Sequence, residues 1–165
     1  MSNLSANKAY IVAIDLMEES RKTIPSFKDT SVLNITINGA DLSNSFYSNP
    51  FNPDSLQPVL SSDHVGAKTG TGLVHIAPAL GQDDFKLAIR HKLATECVVN
   101  ELGQYDVNDA VLQRFKLCGL SVLDKETNNR IKEILGGAVL HSHIYTHSYP
   151  YDWRTKKVII VKVLK

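Results

Sequence analysis

Lys68-Thr69-Gly70-Thr71-Gly72-Leu73-Val74-His75-Ile76-Ala77-Pro78, followed two residues later by Gly81-Gln82-Asp83-Asp84-Phe85, is the most informative stretch of this 165-residue chain. Alternation along a strand places Thr71, Leu73, His75 and Ala77 on one face and Val74 and Ile76 on the other. Pro78 ends the strand, Gly81 turns the chain, and a helix is predicted from Asp83, with Phe85, Ala88, Ile89 and Leu93 along one apolar stripe. A strand, turn and helix of these lengths bring the His75 imidazole towards the first helical turn, where unpaired N–H groups stabilise the Asp84 carboxylate. The glycines do not form a phosphate loop, because Leu73 stands where Lys should follow Gly72. They do not form a dinucleotide fingerprint either, because His75 occupies the third glycine position. Gly70 and Gly72 instead suit a close approach of backbone to a ligand or to another strand. A strand histidine is more often a hydrogen-bonded packing residue, and an aspartate at a helix start is usually a cap. Spacing alone leaves both alternatives open.

Working outward, short strands are predicted at Tyr10 to Met17, Ser31 to Ile37, Cys97 to Val99, Ala138 to Leu140 and Val158 to Leu164. Asn38-Gly39 and Gly103 mark turns. Residues 41–58 hold Pro50, Pro53 and Pro58 and are predicted to be an ordered loop in which Phe46, Tyr47 and Phe51 need packing partners. A second helix is predicted from Asp124 to Leu135, capped by Ser121 or Asp124 and closed by Gly136-Gly137. Short strands with two helices indicate an α+β class.

Composition bounds the rest. Hydrophobic residues make up 43% and charged residues 21%, with a net charge of +1, so no global field steers a nucleic acid and any such contact is local. Cys97 and Cys118 fit reduced, buried small hydrophobes. The opening residues resemble neither a signal peptide nor an arginine-rich transit peptide, and no apolar run is long enough to span a bilayer. A soluble intracellular chain is expected. His141, His143 and His147 with Asp152 lack a partner at a recognised metal spacing, so no metal is expected there. Tyr145, Tyr149, Tyr151 and Trp153 with Arg154, Lys156 and Lys157 form the one aromatic-basic patch; it is read as a hinge against another domain in preference to an RNA contact.

The central stretch also closely resembles the GTGxVHxAPxxGxxD motif of isoleucyl-tRNA synthetase editing domains, the connective polypeptide 1 module. Valyl and leucyl enzymes carry related motifs. The flanks agree: Pro58-Val59-Leu60 with Asp63-His64-Val65, Gly119-Leu120-Ser121-Val122, and Gly137 to His141. His147-Ser148-Tyr149-Pro150-Tyr151-Asp152-Trp153-Arg154-Thr155-Lys156-Lys157 is similar to the segment that returns to the synthetic domain, and this long match favours the isoleucyl member. The resemblance implies a β-barrel-like editing domain with short strands and a few peripheral helices over residues 1–145, and a return segment over 146–165. The implied activity is hydrolysis of valine mischarged onto tRNA(Ile), because one methylene separates the two amino acids by only ~1–3 kcal/mol, a figure established on this enzyme family itself.

By the same resemblance, Asp84 binds the substrate α-ammonium, and His75 lines the pocket and bars isoleucine. Gly70, Thr71 and Gly72 hold the terminal adenosine and the ester. No metal or cofactor is implied, and the partner is the tRNA(Ile) 3′ end carrying valine, met by a monomer. The location implied is the mitochondrial matrix of a eukaryote, or otherwise the cytoplasm. Two departures stand out. Ser5-Ala6-Asn7 resembles the end of the family's Pro-Ala-Asn stretch without its preceding threonines, and the proline between Lys157 and Val158 is missing. A competing reading is therefore a truncated, catalytically weak or inactive module that grips tRNA ends.

Overall fold

The computed structural model describes residues 8–68 and 70–163, so Ser5-Ala6-Asn7 and Thr69 lie outside the described residues. The α+β class holds. Four α-helices are present among these residues: α1 Met17–Thr23, α2 Gln82–Arg90, α3 Ala110–Arg114 and α4 Lys125–Leu135. They accompany one antiparallel pair, β1 Phe46–Asn49 with β2 Asn52–Pro58. No helix among them is long and apolar enough to cross a membrane.

The two predicted helices are found where the pattern placed them. Asp83 and Asp84 lie in the first turn of α2 and Arg90 in its last, each matching the sign of the helix dipole. Its inward face buries Leu87 and Ala88. It stops at Arg90, short of the predicted Leu93, because Lys92 turns left-handed (φ 54°) and Leu93 N–H reaches back to the Ala88 carbonyl at 2.9 Å. This is the Schellman ending with lysine in the position glycine usually takes. Helix α3, which the sequence reading missed, ends the same way: Lys116 has φ 55° and Leu117 N–H donates to the Leu112 carbonyl at 2.9 Å. Helix α4 is preceded by Asp124 as the extended N-cap residue and followed by Gly136 at φ 49°.

The strands required more correction. Residues Tyr10 to Met17 do not form a strand: Ile14–Leu16 is a 3-10 turn running into α1. Leu16, Ser20, Ile24 and Phe27 are buried, and this spacing is helical rather than alternating. Ser31 to Ile37 has no ladder partner among the described residues, and Ile35 N–H turns back to the Leu33 carbonyl at 2.7 Å, leaving Leu33, Ile35 and Ile37 exposed. Leu73 to Ala77 is extended without a ladder, and Ala138 to Leu140 leaves a 3-10 turn at Gly136–Ala138. Of the strands expected at Cys97 to Val99 and Val158 to Leu164, the described residues keep isolated bridges, Val99 to Tyr105 and Val158 to Tyr151, and Leu164 lies outside the described residues.

Conversely, residues 46–58, predicted to be loop, contain the hairpin. Tyr47 pairs with Gln57 and Ser48 with Leu56, and the register shifts between Ser48 and Asn49. The prolines that argued against regular structure sit where a strand tolerates them: Pro50 in the turn, Pro53 next to the irregularity and Pro58 at the strand end.

Such an arrangement leaves much surface open. The accessible area is 13130 Å² for a mass of 18.3 kDa, against about 8,100 Å² for a compact monomer of that mass.

Candidate functional site

The central segment is built around Ala77. Pro78 opens a turn in which Leu80 N–H donates to the Ala77 carbonyl at 2.9 Å, and Phe85 N–H donates to the Gly81 carbonyl at 2.8 Å, starting α2. Asp84 Oδ2 accepts from the Ala77 N–H at 2.9 Å, so the carboxylate ties the first helical turn to the extended stretch that carries His75. The side chain folds over Gly81, where an added Cβ would lie 3.1 Å from Oδ2. Its other oxygen, Oδ1, lies 3.6 Å from His64 Nε2, and the Asp84 side chain is 24% exposed. Ser62 Oγ is 2.7 Å from His64 Nδ1, which places the imidazole between hydroxyl and carboxylate. At this exposure the pair contributes only about 0–1 kcal/mol when His64 is protonated.

His75 is exposed and has a different partner: its Nδ1 lies 3.2 Å from the Tyr47 hydroxyl on β1. Thr71 turns its hydroxyl to the Leu73 carbonyl at 3.4 Å, while its own carbonyl accepts from Ala13 N–H at 2.8 Å. Gly70 and Gly72 take left-handed conformations, φ 65° and 80°. A Cβ on Gly72 would lie 2.5 Å from Ala13 Cβ. The close approach anticipated for Gly72 is therefore made to residue 13 of the same chain.

Two shallow clefts lie away from these residues. One is polar, between Leu120 and the Asp124–Glu133 face of α4; the other is lined by Leu80, Val99, Tyr105 and Ile160. Burial of Tyr105 pushes its phenol above the ordinary tyrosine value. Sequence reasoning passed over Tyr47, Ser62 and His64 as site neighbours. The Asp63-His64-Val65 signal was visible, but its contact with Asp84 spans twenty positions and left no periodic trace.

The second candidate region extends from His141. Successive odd residues line up their rings, with centroids 5.4 Å apart for His141 and His143, 6.4 Å for His143 and Tyr145, 5.5 Å for Tyr145 and His147, and 5.7 Å for His147 and Tyr149. An extended backbone strings alternate side chains along one edge, so these imidazoles do not converge; no metal-binding cluster forms among the described residues. Beyond it the chain folds back, Tyr151 bridging Val158, with Arg154 stacked 4.8 Å over the Trp153 ring.

Asp152 holds this loop, accepting from Thr155 N–H at 2.6 Å, Thr155 Oγ1 at 3.1 Å and Arg154 N–H at 2.8 Å. The Thr155 backbone bond first, then the Thr155 hydroxyl, holds the carboxyl below the ordinary aspartate value. A depressed carboxylate supports folded structure above its unfolded value and loses that support as pH falls through the folded value. The loop is thus expected to stay ordered at neutral pH and loosen only in acid below the usual aspartate range. Carboxyl carbon shifts followed by NMR should show Asp152 titrating below ordinary aspartates, and Thr155→Ala should move it up; an unchanged midpoint in that variant would refute the assignment.

No family model matches the chain. Comparison with curated proteins gives a consistent result. The mitochondrial isoleucine–tRNA ligase of Macaca fascicularis is 38% identical over 158 residues, 94% of this chain. The isoleucine–tRNA ligases of Synechococcus sp. and Nitratiruptor sp. are 40% identical over 154 residues and 35% over 159. The chain belongs to the isoleucine–tRNA ligase family. It spans 15% of the length of the macaque and Synechococcus ligases and 17% of the Nitratiruptor ligase, so the match is to one segment of these ligases.

Proposed function

We propose that this segment is the editing module of the ligase and hydrolyses the ester of valine mischarged onto tRNA(Ile). The observation that supports this most is the fixed Asp84 carboxylate. One oxygen is held by the Ala77 amide, and the group sits in the first turn of α2, accessible to a ligand. A carboxylate pinned this way suits an aminoacyl ammonium, which binds through charge-assisted hydrogen bonds. His75 forms the wall that excludes isoleucine, and the backbone at Gly70, Thr71 and Gly72 receives the terminal adenosine. Water adds to the ester carbonyl, the bond to the ribose oxygen breaks, and valine leaves as the free amino acid while the ribose hydroxyl regains its proton. No metal enters the step.

The fold proposed for this module is β-barrel-like, with residues 1–145 forming the domain and 146–165 the return towards a synthetic domain. The stretches at Ser31 to Ile37, Leu73 to Ala77 and His141 to Tyr149 are its candidate strands, although Ile35 N–H is given to the Leu33 carbonyl and Ala77 N–H to the Asp84 carboxylate. The partner is the 3′ end of tRNA(Ile), bound by a monomer, in the mitochondrial matrix of a eukaryote or the cytoplasm of a bacterium. Relatives of both kinds support this reading of location.

A second reading, a tRNA-end-binding module without chemistry, draws on the exposure of His75 and on clefts that include neither His75 nor Asp84. Deacylation of Val-tRNA(Ile) and Ile-tRNA(Ile) by the purified chain separates the two. The editing reading expects slow but selective release of valine, and His75→Ala is expected to begin releasing isoleucine. Failure to release either amino acid while still retarding tRNA would leave only the second reading.

A further inference from the structure

We infer that Tyr47 is a positioning residue for His75, fixing its tautomer and through it the choice between valine and isoleucine. The inference rests on the editing reading for its functional half and on geometry alone for the rest. Tyr47 Oη lies 3.2 Å from His75 Nδ1. A phenol is a stronger acid than a neutral imidazole N–H, so the shared proton stays on the tyrosine and Nδ1 accepts. The hydrogen of the neutral ring is then on Nε2, the nitrogen facing away from Tyr47. In this state His75 presents an N–H donor and a fixed ring edge at its free end. Nε2 has no lone pair with which to take a proton from water, so the residue acts as a wall and a donor, and not as a general base through that atom.

The hydroxyl is well placed to hold the ring. Tyr47 is in β1, opposite Gln57 of β2. The turn of that hairpin is anchored to α3: Arg114 Nη2 donates to the Phe51 carbonyl at 2.6 Å, and Phe51 meets Phe115 edge-on with centroids 5.1 Å apart. A continuous run of contacts thus leads from α3 through the hairpin to the imidazole, the kind of support a selective side chain needs to hold one orientation.

Tyr47→Phe removes a single oxygen and keeps the ring. In the 15N-labelled chain at about pH 8.5, where histidine is neutral, the wild-type His75 signals should show a bare Nδ1 and a protonated Nε2, and Tyr47→Phe should show a mixture of tautomers. The same variant should raise the ratio of isoleucine to valine release by roughly two- to tenfold, the range for one neutral hydrogen bond. A wild-type ring protonated on Nδ1, or an identical spectrum in the variant, would overturn the positioning role. A changed spectrum with an unchanged release ratio would overturn the specificity role. If the wild type releases neither amino acid, the editing reading fails, and the nitrogen signals still decide whether Tyr47 sets the ring.

Discussion

Asp84→Asn is expected to lower valine release from Val-tRNA(Ile) by at least about 30-fold in kcat/KM, while leaving the fold intact. The amide keeps an oxygen for the Ala77 N–H, which Asp84 Oδ2 now accepts at 2.9 Å, so the tie between α2 and the extended stretch survives. What disappears is the charge that would face the substrate ammonium, and truncating one partner of a hydrogen-bonded charge pair costs roughly 2–5 kcal/mol. Asp84→Ala removes the tie as well and should additionally lower the thermal midpoint. The control is an N-acetylated Val-tRNA(Ile), which has no ammonium and should be insensitive to the charge. Wild-type rates from Asp84→Asn would end the assignment of this carboxylate to the amine.

Gly72→Ala is expected to have the largest effect on stability. Position 72 has φ 80°, where an L side chain is strained, and its new Cβ would lie 2.5 Å from Ala13 Cβ. The atom met is a Cβ held close to the backbone, so it cannot swing aside as the end of a long side chain would. Strain at the dihedral and overpacking each cost about 1–3 kcal/mol. Relief requires residues 11–13 to move away, which breaks the Ala13 N–H bond to the Thr71 carbonyl. Denaturant unfolding should show the loss, and Ala13→Gly in the same chain should recover the packing part but not the dihedral part. A variant as stable as wild type would mean that this contact is not made in solution.

These two sites show what the linear pattern could convey. The turn and helix from Pro78 to Arg90 were legible because their signals are local: a proline, a glycine and paired acids at the head of an amphipathic run; the strand expected before them, Leu73 to Ala77, forms no ladder among the described residues. The same holds for α4. Ile14 to Phe27 misled because β-branched residues near Tyr10 suggested a strand, while the informative spacing, Leu16, Ser20, Ile24 and Phe27, includes a buried serine that a hydrophobic pattern skips. The hairpin was hidden by its prolines, each at a position a strand accepts. Helix α3 spans only five residues, too few for periodicity to register. The neighbours of the candidate site were hidden for a different reason: Tyr47 reaches His75 across 28 positions, and nothing in the intervening sequence encodes that meeting. Family resemblance supplied roles for His75 and Asp84, whereas their hydrogen-bond partners appeared only in three dimensions.

The ribbon from Leu140 to Tyr149 carries a liability of its own. Residues 141–149 are all exposed, and Ile144 is 95% exposed. The stretch contains no lysine, no acidic residue and no proline until Pro150. Natural sheets guard their margins with such residues because an unguarded margin recruits a second copy of itself. Handling this polypeptide at high concentration therefore means competing with edge-to-edge growth, and a single lysine at position 144 is the smallest change that would discourage it.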